Sequence, residues 1–123
     1  MARVITGLQR LCSDLAPWIK GRTLGLLINP TSVTEELEIS VNILKSQAEI
    51  ICLLGPEHGI HGTHQDMIPV QSLRDPYFQL PVYSLYGSHE DTLKPGEDAL
   101  SQVDVLVFDI QDVGARYYTY IYT

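Results

Sequence analysis

An apolar run at residues 50–54 constrains the fold of this chain more than any other segment. The run, Ile-Ile-Cys-Leu-Leu, is continuous, which is typical of a β-strand covered on both faces in a parallel sheet. Gly55 and Pro56 end it, because proline lacks the N–H group that a β-ladder needs and its fixed φ suits a turn. Glu57 and His58 therefore follow the carboxyl end of a buried strand, where open α/β sheets bind their ligands.

Three more segments predict strands, namely residues 24–28, 81–87 and 103–110. Polar residues again mark where two of them end, with Asn29 after the first and Asp109 near the end of the last. Because the carboxyl ends of parallel strands meet at one edge of a sheet, we expect these residues to share that edge with Glu57.

Helices are predicted between the strands. Apolar side chains, including Trp18, recur at intervals of three and four over residues 7–19, which indicates an amphipathic helix that Pro17 cuts short. The next helix has two possible starts, since Ser32 begins a capping-box pattern and Ser40 can also cap a helix. We favour the start at Ser40.

Residues 93–103 predict a third helix, with Ala99 and Leu100 facing the sheet. Residues 66–80 show no clear period and contain prolines, so they predict an irregular loop. Strands that alternate with helices predict right-handed βαβ units. We therefore expect an α/β, Rossmann-like fold with a mostly parallel sheet, helices on both faces and, by precedent, the order 3-2-1-4 for the four predicted strands.

Composition argues against several classes of partner. The formal net charge of −7, without a basic stripe, disfavours nucleic acid and anionic membrane surfaces. No apolar run approaches the roughly 20 residues that span a bilayer, and the first residues lack the apolar block of a signal peptide. We therefore expect a soluble, cytoplasmic protein without membrane contact. The 123 residues fit one domain, and Cys12 and Cys52 fit buried thiols.

Four blocks of sequence together carry a resemblance to a known family. They are residues 24–31 (LGLLINPT), 55–59 (GPEHG), 81–87 (PVYSLYG) and 105–120 (VLVFDIQDVGARYYTY). In this order they closely resemble the exo-β-N-acetylmuramidase family, the NamZ-like glycoside hydrolases of bacterial cell-wall recycling. The resemblance covers nearly the whole chain from residue 21 onward.

The resemblance implies a Rossmann-like N-terminal domain that carries the active site, here residues 1–123, with the C-terminal domain of the family absent. It implies release of N-acetylmuramic acid from non-reducing ends of peptidoglycan fragments, without a cofactor. By motif match the catalytic glutamate falls on Glu57, with His58 beside it to orient Glu57 or bind a sugar hydroxyl. The chain departs from the family where His61 replaces the usual arginine, and where residues 65–68 replace an alanine-glycine-glutamate segment.

Glycosidic cleavage usually needs two carboxyl groups, one of which protonates the leaving oxygen. Glu57 can supply that proton, because desolvation at the end of an apolar strand favours a protonated carboxyl group. Asp109 and Asp112 are candidates for the second role, and two strand spacings, roughly 9–10 Å, would separate Asp109 from Glu57. Asp109 can equally serve only to cap the loop after its strand.

Further substrate-binding residues are expected along the same edge. Arg116 can hold the lactyl carboxylate of muramic acid in a bidentate pair, or form an ion pair with Asp112. The full set of expected substrate-binding residues is Asn29, Tyr86, Asp109, Gln111, Asp112 and Arg116. Histidines recur at positions 58, 61 and 64, but the glycines between them argue against a rigid metal-binding face, so no metal is expected.

Two alternatives to a glycosidase come from other functional classes. One is a non-catalytic, sugar-binding Rossmann-like remnant of the family. A nucleotide-binding module is disfavoured, because no Gly-x-Gly-x-x-Gly follows the first strand. The other is an interaction protein that self-associates through the aromatic C-terminal residues 117–122.

Overall fold

The computed structural model describes residues 3–62, 73–86, 93–115 and 120–123. Within these ranges five strands form one sheet: β1 (Thr23–Ile28), β2 (Glu49–Gly55), β3 (Leu73–Arg74), β4 (Pro81–Ser84) and β5 (Val105–Asp109). The α-helices there are α1 (Gly7–Leu11), α2 (Ser40–Leu44) and α3 (Glu97–Leu100), and short 3-10 turns lie at Ala16–Trp18 and Tyr120–Tyr122.

The sheet has the order β3-β4-β2-β1-β5. β1, β2, β4 and β5 run parallel, and the two-residue β3 pairs antiparallel with β4. The predicted α/β fold with a mostly parallel sheet is therefore confirmed. The predicted order is confirmed too, since the four strands expected from the sequence lie as β4-β2-β1-β5. Their carboxyl ends meet at one edge of the sheet, here called the carboxyl edge.

Helices cover both faces of the sheet, as predicted. On one face, Leu8 of α1 and Leu44 of α2 pack with Leu26 of β1 in a first buried cluster. On the other face, a second cluster includes Cys52 of β2, and its thiol lies 3.6 Å from the carbonyl oxygen of Ala99 in α3. β1 contributes to both clusters, because successive side chains of a strand point to opposite faces.

The first helix is shorter than the sequence predicts. α1 begins at a capping box, in which the Thr6 hydroxyl accepts the Gln9 N–H at 3.2 Å and the Gln9 side chain accepts the Thr6 N–H at 2.9 Å. It ends at Leu11, and Pro17 lies in the following 3-10 turn, near the start where its missing N–H is not needed. Trp18 is 67% exposed instead of facing the core. The predicted continuous helix is thus wrong beyond Leu11.

The third helix is also shorter than predicted. Gly96 is its N-cap, and the carboxylate of Asp104 already accepts the Thr23 N–H at 2.9 Å, which aligns the start of β5 with β1. Only four residues between these points are helical. Ala99 faces the sheet as predicted, whereas Leu100 is 37% exposed, so its predicted orientation is wrong.

Two smaller predictions have mixed outcomes. α2 begins at Ser40 as favoured, although Ile39 is its N-cap. In the segment predicted as an irregular loop, residues 66–72 lie outside the described ranges, and β3 occupies Leu73–Arg74. A strand of two residues has no sequence period, and its pairing with β4 is what defines it.

Among the described residues, no helix has the length and apolar character that crossing a membrane requires.

Candidate functional site

Glu57 and His58 lie in a tight turn that follows β2. The Gly59 N–H donates to the Pro56 carbonyl oxygen at 2.9 Å, which closes a four-residue turn. His58 occupies the third position with a φ of 70°, in the left-handed region that glycine or asparagine normally fills in such turns. Glu57 is half-buried and His58 is exposed. The structure thus places Glu57 and His58 in the turn at the carboxyl edge, as the sequence predicts.

The backbone at His58 is left-handed, as it also is at Leu37 and Gln79. Holding a non-glycine residue in the left-handed region costs roughly 1–3 kcal/mol, and residues strained in this way cluster at active sites and ligand clamps. Gly59 follows with a φ of 76°, so the chain reverses sharply. Since a glycine at position 58 would remove the strain, the imidazole is a candidate for a functional role.

Two glycines allow this turn to pack tightly on the sheet. A Cβ atom at Gly55 would lie 3.2 Å from the Ile60 nitrogen and 3.4 Å from the Gly59 Cα, so the chain folds back over the end of β2. Gly62 has a φ of 65°, and a Cβ atom there would lie 2.8 Å from Pro30 Cγ. The loop after β2 therefore rests directly on the loop after β1, which fixes the position of the turn that carries Glu57.

Short polar side chains tie the carboxyl ends of β1 and β5 together. Asn29 is buried, and its Oδ1 accepts the N–H of Thr31 at 2.9 Å and the Thr31 hydroxyl at 2.6 Å. The Ser32 hydroxyl donates to the carbonyl oxygen of Asp109, and the Gln111 N–H donates to Thr31 Oγ1 at 3.0 Å. The side chain of Asn29, which was expected to bind substrate, is thus engaged in this network, whereas Gln111 contributes only its backbone N–H.

The Asp109 side chain is directed under α2. Val105 and Val107, which share its face of β5, pack against the first cluster together with the side chains of α2. Asp109 Oδ2 and the Ser40 hydroxyl oxygen are buried there without a hydrogen-bond partner within the described ranges. Burial raises the pKa of Asp109, and the nearby Ser40 hydroxyl opposes only part of this rise. The charged carboxylate is therefore disfavoured in the folded chain.

Replacing Asp109 with asparagine is expected to stabilise the chain near pH 7. In the unfolded chain the Asp109 carboxyl group ionises at its ordinary pKa, whereas burial raises its pKa in the folded chain. The cost of this raised pKa to the free energy of unfolding is therefore absent in acid, and it grows as pH rises from the unfolded pKa to the folded pKa. Asparagine removes this contribution, and we expect the free energy of unfolding to rise by about 1 kcal/mol near pH 7 and by nothing measurable near pH 3. Urea denaturation at both pH values measures this difference.

Asp112→Asn is the matched control for that experiment. Asp112 is exposed on the same loop, and its Oδ1 accepts the Gly114 N–H at 2.6 Å, a bond that an asparagine oxygen can also accept. We expect its stability to stay within about 0.5 kcal/mol of the original chain. A destabilised Asp109→Asn variant near pH 7 would contradict the expectation and show that the ionised carboxylate is favourably bound.

Asp75 is a buried carboxylate of the site that the sequence did not suggest. Its Oδ1 accepts the N–H groups of Tyr77 at 2.9 Å and Phe78 at 2.7 Å, and its Oδ2 lies 2.6 Å from His61 Nε2. Burial alone would raise the pKa of Asp75, but the hydrogen bonds from Phe78, His61 and Tyr77 outweigh it and hold the pKa below its usual value. The only sequence signal for this role was that Pro76 follows Asp75, because an Asp-Pro pair favours the start of a turn.

The His61 imidazole is oriented by two neighbours. Besides Asp75, the Phe78 ring lies nearly parallel to it, with an interplanar angle of 9° and a centroid distance of 6.3 Å. Both rings, with Asn29 and Ile60, line a cavity of about 210 Å³ between the loops after β1 and β2. His61, which the sequence places among spaced histidines, thus binds a carboxylate. Within the described ranges no group of three metal-binding side chains assembles, and His64 lies outside them.

A family model decides the relationship of the chain to known proteins. The model of the N-terminal part of the exo-β-N-acetylmuramidase NamZ matches residues 24–123. This chain belongs to the NamZ N-terminal family. The resemblance carried by the four sequence blocks is thereby confirmed.

Relatives of this chain include proteins more than three times as long. The chain is 46% identical over 123 residues to the peptidoglycan β-N-acetylmuramidase NamZ of Bacillus subtilis. That match covers 98% of this chain but 29% of the Bacillus subtilis protein. Two DUF1343 family structures from Bacteroides fragilis share the fold. The first has a TM-score of 0.78 at 39% identity, and this chain covers 28% of it. The second has a TM-score of 0.70 at 28% identity, and this chain covers 29% of it. The chain therefore spans less than a third of these relatives.

The remaining predicted residues of this NamZ-family chain lie at the carboxyl edge or outside the described ranges. Tyr86 follows β4, and its hydroxyl lies 3.0 Å from the Thr123 hydroxyl. Tyr120 is buried in the second cluster, so the chain returns from the end of β5 towards the end of β4. Asp112 is exposed in the loop between them, and Arg116 lies outside the described ranges.

Proposed function

We propose that this chain is the active-site-bearing N-terminal part of an exo-β-N-acetylmuramidase, which releases N-acetylmuramic acid from non-reducing ends of peptidoglycan fragments. The observation that carries the proposal is the 46% identity to a peptidoglycan β-N-acetylmuramidase across the chain. The left-handed turn with Glu57 and His58 supports it, because it follows the carboxyl end of β2, where open α/β sheets bind their ligands.

In the proposed reaction Glu57 protonates the glycosidic oxygen as the bond between that oxygen and the anomeric carbon of N-acetylmuramic acid breaks, and the aglycone leaves as an alcohol. A second carboxylate attacks the anomeric carbon, or takes a proton from the water that attacks it. His58, the next residue on the turn, orients Glu57 or binds a sugar hydroxyl. The order β2-β1-β5 puts two strand spacings, roughly 9–10 Å, between the end of β2, which the Glu57 turn follows, and the end of β5, which the loop with Asp112 follows. Asp112 suits the second role better than Asp109, since Asp112 is exposed and the Asp109 side chain lies under α2.

Recognition of muramic acid is proposed to rest on its lactyl carboxylate, which distinguishes it from N-acetylglucosamine. Arg116 is the proposed partner, because a guanidinium group binds a carboxylate in a bidentate pair. Tyr86 can offer a ring face to the sugar from the end of β4. Asn29 then contributes mainly by shaping the loops, given the hydrogen bonds of its side chain with Thr31. Gln111 bonds Thr31 through its backbone N–H, so its exposed side chain stays a proposed sugar contact.

A comparison of two chromogenic substrates tests the proposal. We expect the chain to hydrolyse an aryl β-N-acetylmuramide at least about 10-fold faster than the matching β-N-acetylglucosaminide, because losing a charge-assisted hydrogen bond costs about 1.5–3 kcal/mol. Calorimetry with N-acetylmuramic acid and N-acetylglucosamine measures the same preference without turnover. Equal rates and equal affinities for the two sugars would contradict the proposal.

A non-catalytic sugar-binding module is the second candidate. The observation that favours it is that His61, held by Asp75, occupies the position of the arginine usual in the family. Selective binding of N-acetylmuramic acid without hydrolysis of the aryl muramide would assign this function. Hydrolysis by the isolated chain would exclude it.

A further inference from the structure

His61 links two segments that lie at opposite ends of neighbouring strands. It belongs to the loop after β2, at the carboxyl edge, and its Nε2 lies 2.6 Å from Asp75 Oδ2. Asp75 lies at the amino end of β4, because its N–H donates at 2.8 Å to the carbonyl oxygen of Leu80, the residue before that strand. The contact between His61 and Asp75, here called the clasp, therefore joins the carboxyl-edge loop to the amino end of the strand beside β2.

The carboxylate of Asp75 is held in place by backbone groups of its own loop. Its Oδ1 accepts the N–H groups of Tyr77 and Phe78. The Gln79 N–H donates to the Asp75 carbonyl oxygen at 2.8 Å, and Gln79 closes this small loop with a φ of 57°. Because the Asp75 side chain is also buried, the imidazole of His61 binds a carboxylate that already has a defined position.

On the other side of the clasp, His61 is connected to Glu57 by two consecutive turns. The first is closed by the Gly59 N–H and the Pro56 carbonyl oxygen, and in the second the Gly62 N–H donates to the Gly59 carbonyl oxygen at 3.2 Å. His61 lies within the second turn and Glu57 within the first. Since the two turns share Gly59, a displacement of His61 is expected to displace Glu57 as well.

We propose that Asp75 is a positioning residue for Glu57, which acts through the clasp and holds the Glu57 turn at the geometry that proton transfer requires. The observation that carries the proposal is that a buried carboxylate, fixed at the amino end of β4, binds a side chain of the loop that bears Glu57. The Phe78 ring lies nearly parallel to the imidazole and restricts it further. Such support matters because a misplacement of about 1 Å can cost about 10²-fold in rate. The inference rests on the proposed reaction of Glu57.

Two replacements of His61 test the clasp through turnover of an aryl β-N-acetylmuramide. His61→Phe keeps a ring that can stack on Phe78 but removes the bond to Asp75. We expect it to lower kcat by at least about 10-fold and to change KM by less than about 3-fold. His61→Arg restores a donor to the carboxylate, so its kcat should stay within about 3-fold of the original chain. Arg10→Met is the matched control, because it breaks an exposed ion pair with Asp14 that belongs to neither loop of the clasp, and its kcat should not change.

Amide hydrogen exchange at Gly59 tests the clasp without turnover. We expect His61→Phe to speed exchange of the Gly59 N–H by more than about 10-fold, because the turn that this group closes loses its anchor. His61→Arg should leave the exchange rate within about 3-fold. If the original chain does not hydrolyse the muramide, the proposed function fails, and exchange at Gly59 still decides whether the clasp holds the turn. His61→Ser replaces His61→Phe if the latter does not fold, since the His61 side chain is 48% exposed.

Three results would overturn the proposal. The first is a His61→Phe variant that keeps the original kcat or the original exchange rate at Gly59. The second is a loss of kcat that His61→Arg does not restore, which would assign the imidazole itself to the reaction. The third is a raised KM with an unchanged kcat, which would assign His61 to substrate binding.

Discussion

Replacing Glu57 with glutamine is expected to lower kcat for an aryl β-N-acetylmuramide by about 10²–10⁴-fold, the contribution typical of a positioned general acid. Glutamine has nearly the shape of glutamate but its amide cannot transfer the proton. The turn should persist, because the Gly59 N–H bond to the Pro56 carbonyl oxygen and the left-handed φ of His58 involve only the backbone. Initial rates and calorimetric binding of N-acetylmuramic acid measure the two effects separately, and binding should change less than about 3-fold.

Glu49→Gln is the matched control for this variant. Glu49 begins β2 at the amino end, whereas Glu57 follows the carboxyl end of the same strand, and Glu49 is exposed. Its kcat should equal that of the original chain. Full turnover by Glu57→Gln would remove Glu57 from the catalytic role. A parallel loss in both variants would point to the net charge of the chain instead of to the carboxyl edge.

The second large effect is expected from Gly62→Ala, which disturbs the contact between the loops after β1 and β2. Gly62 has a φ of 65°, and the new Cβ atom would lie 2.8 Å from Pro30 Cγ. The unfavourable backbone conformation and the overpacking should together lower the free energy of unfolding by roughly 2–4 kcal/mol. Urea denaturation measures this loss. Displacement of the turn should also reduce kcat, because small misplacements of a catalytic group are costly.

Gly114→Ala separates the two causes. Gly114 has a similar φ of 70°, but a Cβ atom there would meet nothing within 4 Å. We expect it to lose only about 1 kcal/mol, from the backbone conformation alone. Equal losses in both variants would show that Pro30 moves aside without cost, and the loop contact would then not hold the Glu57 turn in place.

The carboxyl edge was predictable because its signals are local. Apolar runs such as residues 50–54 indicate buried strands, Gly55-Pro56 indicates where one ends, and the alternation of strands with helices leaves few topologies. The placement of Glu57 at the end of a strand follows from these features. The family resemblance also rests on contiguous blocks of sequence, and the residues matched by the family model, 24–123, include all four blocks.

The helix lengths were less predictable, because neighbouring elements set them. An amphipathic period continues past Leu11, but the chain leaves the helix there and Trp18 becomes exposed. α3 is limited by Gly96 and by the bond between Asp104 and Thr23, which are 81 residues apart in sequence. Such a bond has no local signal, since it exists only once β5 lies beside β1.

By itself, the sequence determined the α/β class, the four parallel strands and the Glu57-His58 turn at their carboxyl edge, because each depends on residues close together in the chain. Only the tertiary structure decided that His58 adopts a left-handed backbone, that Asp75 holds His61, and that Asp109 is directed under α2. It alone also leaves the apolar side chains of β5 exposed. These features depend on which distant segments pack together, and one strand or one turn does not specify its neighbours.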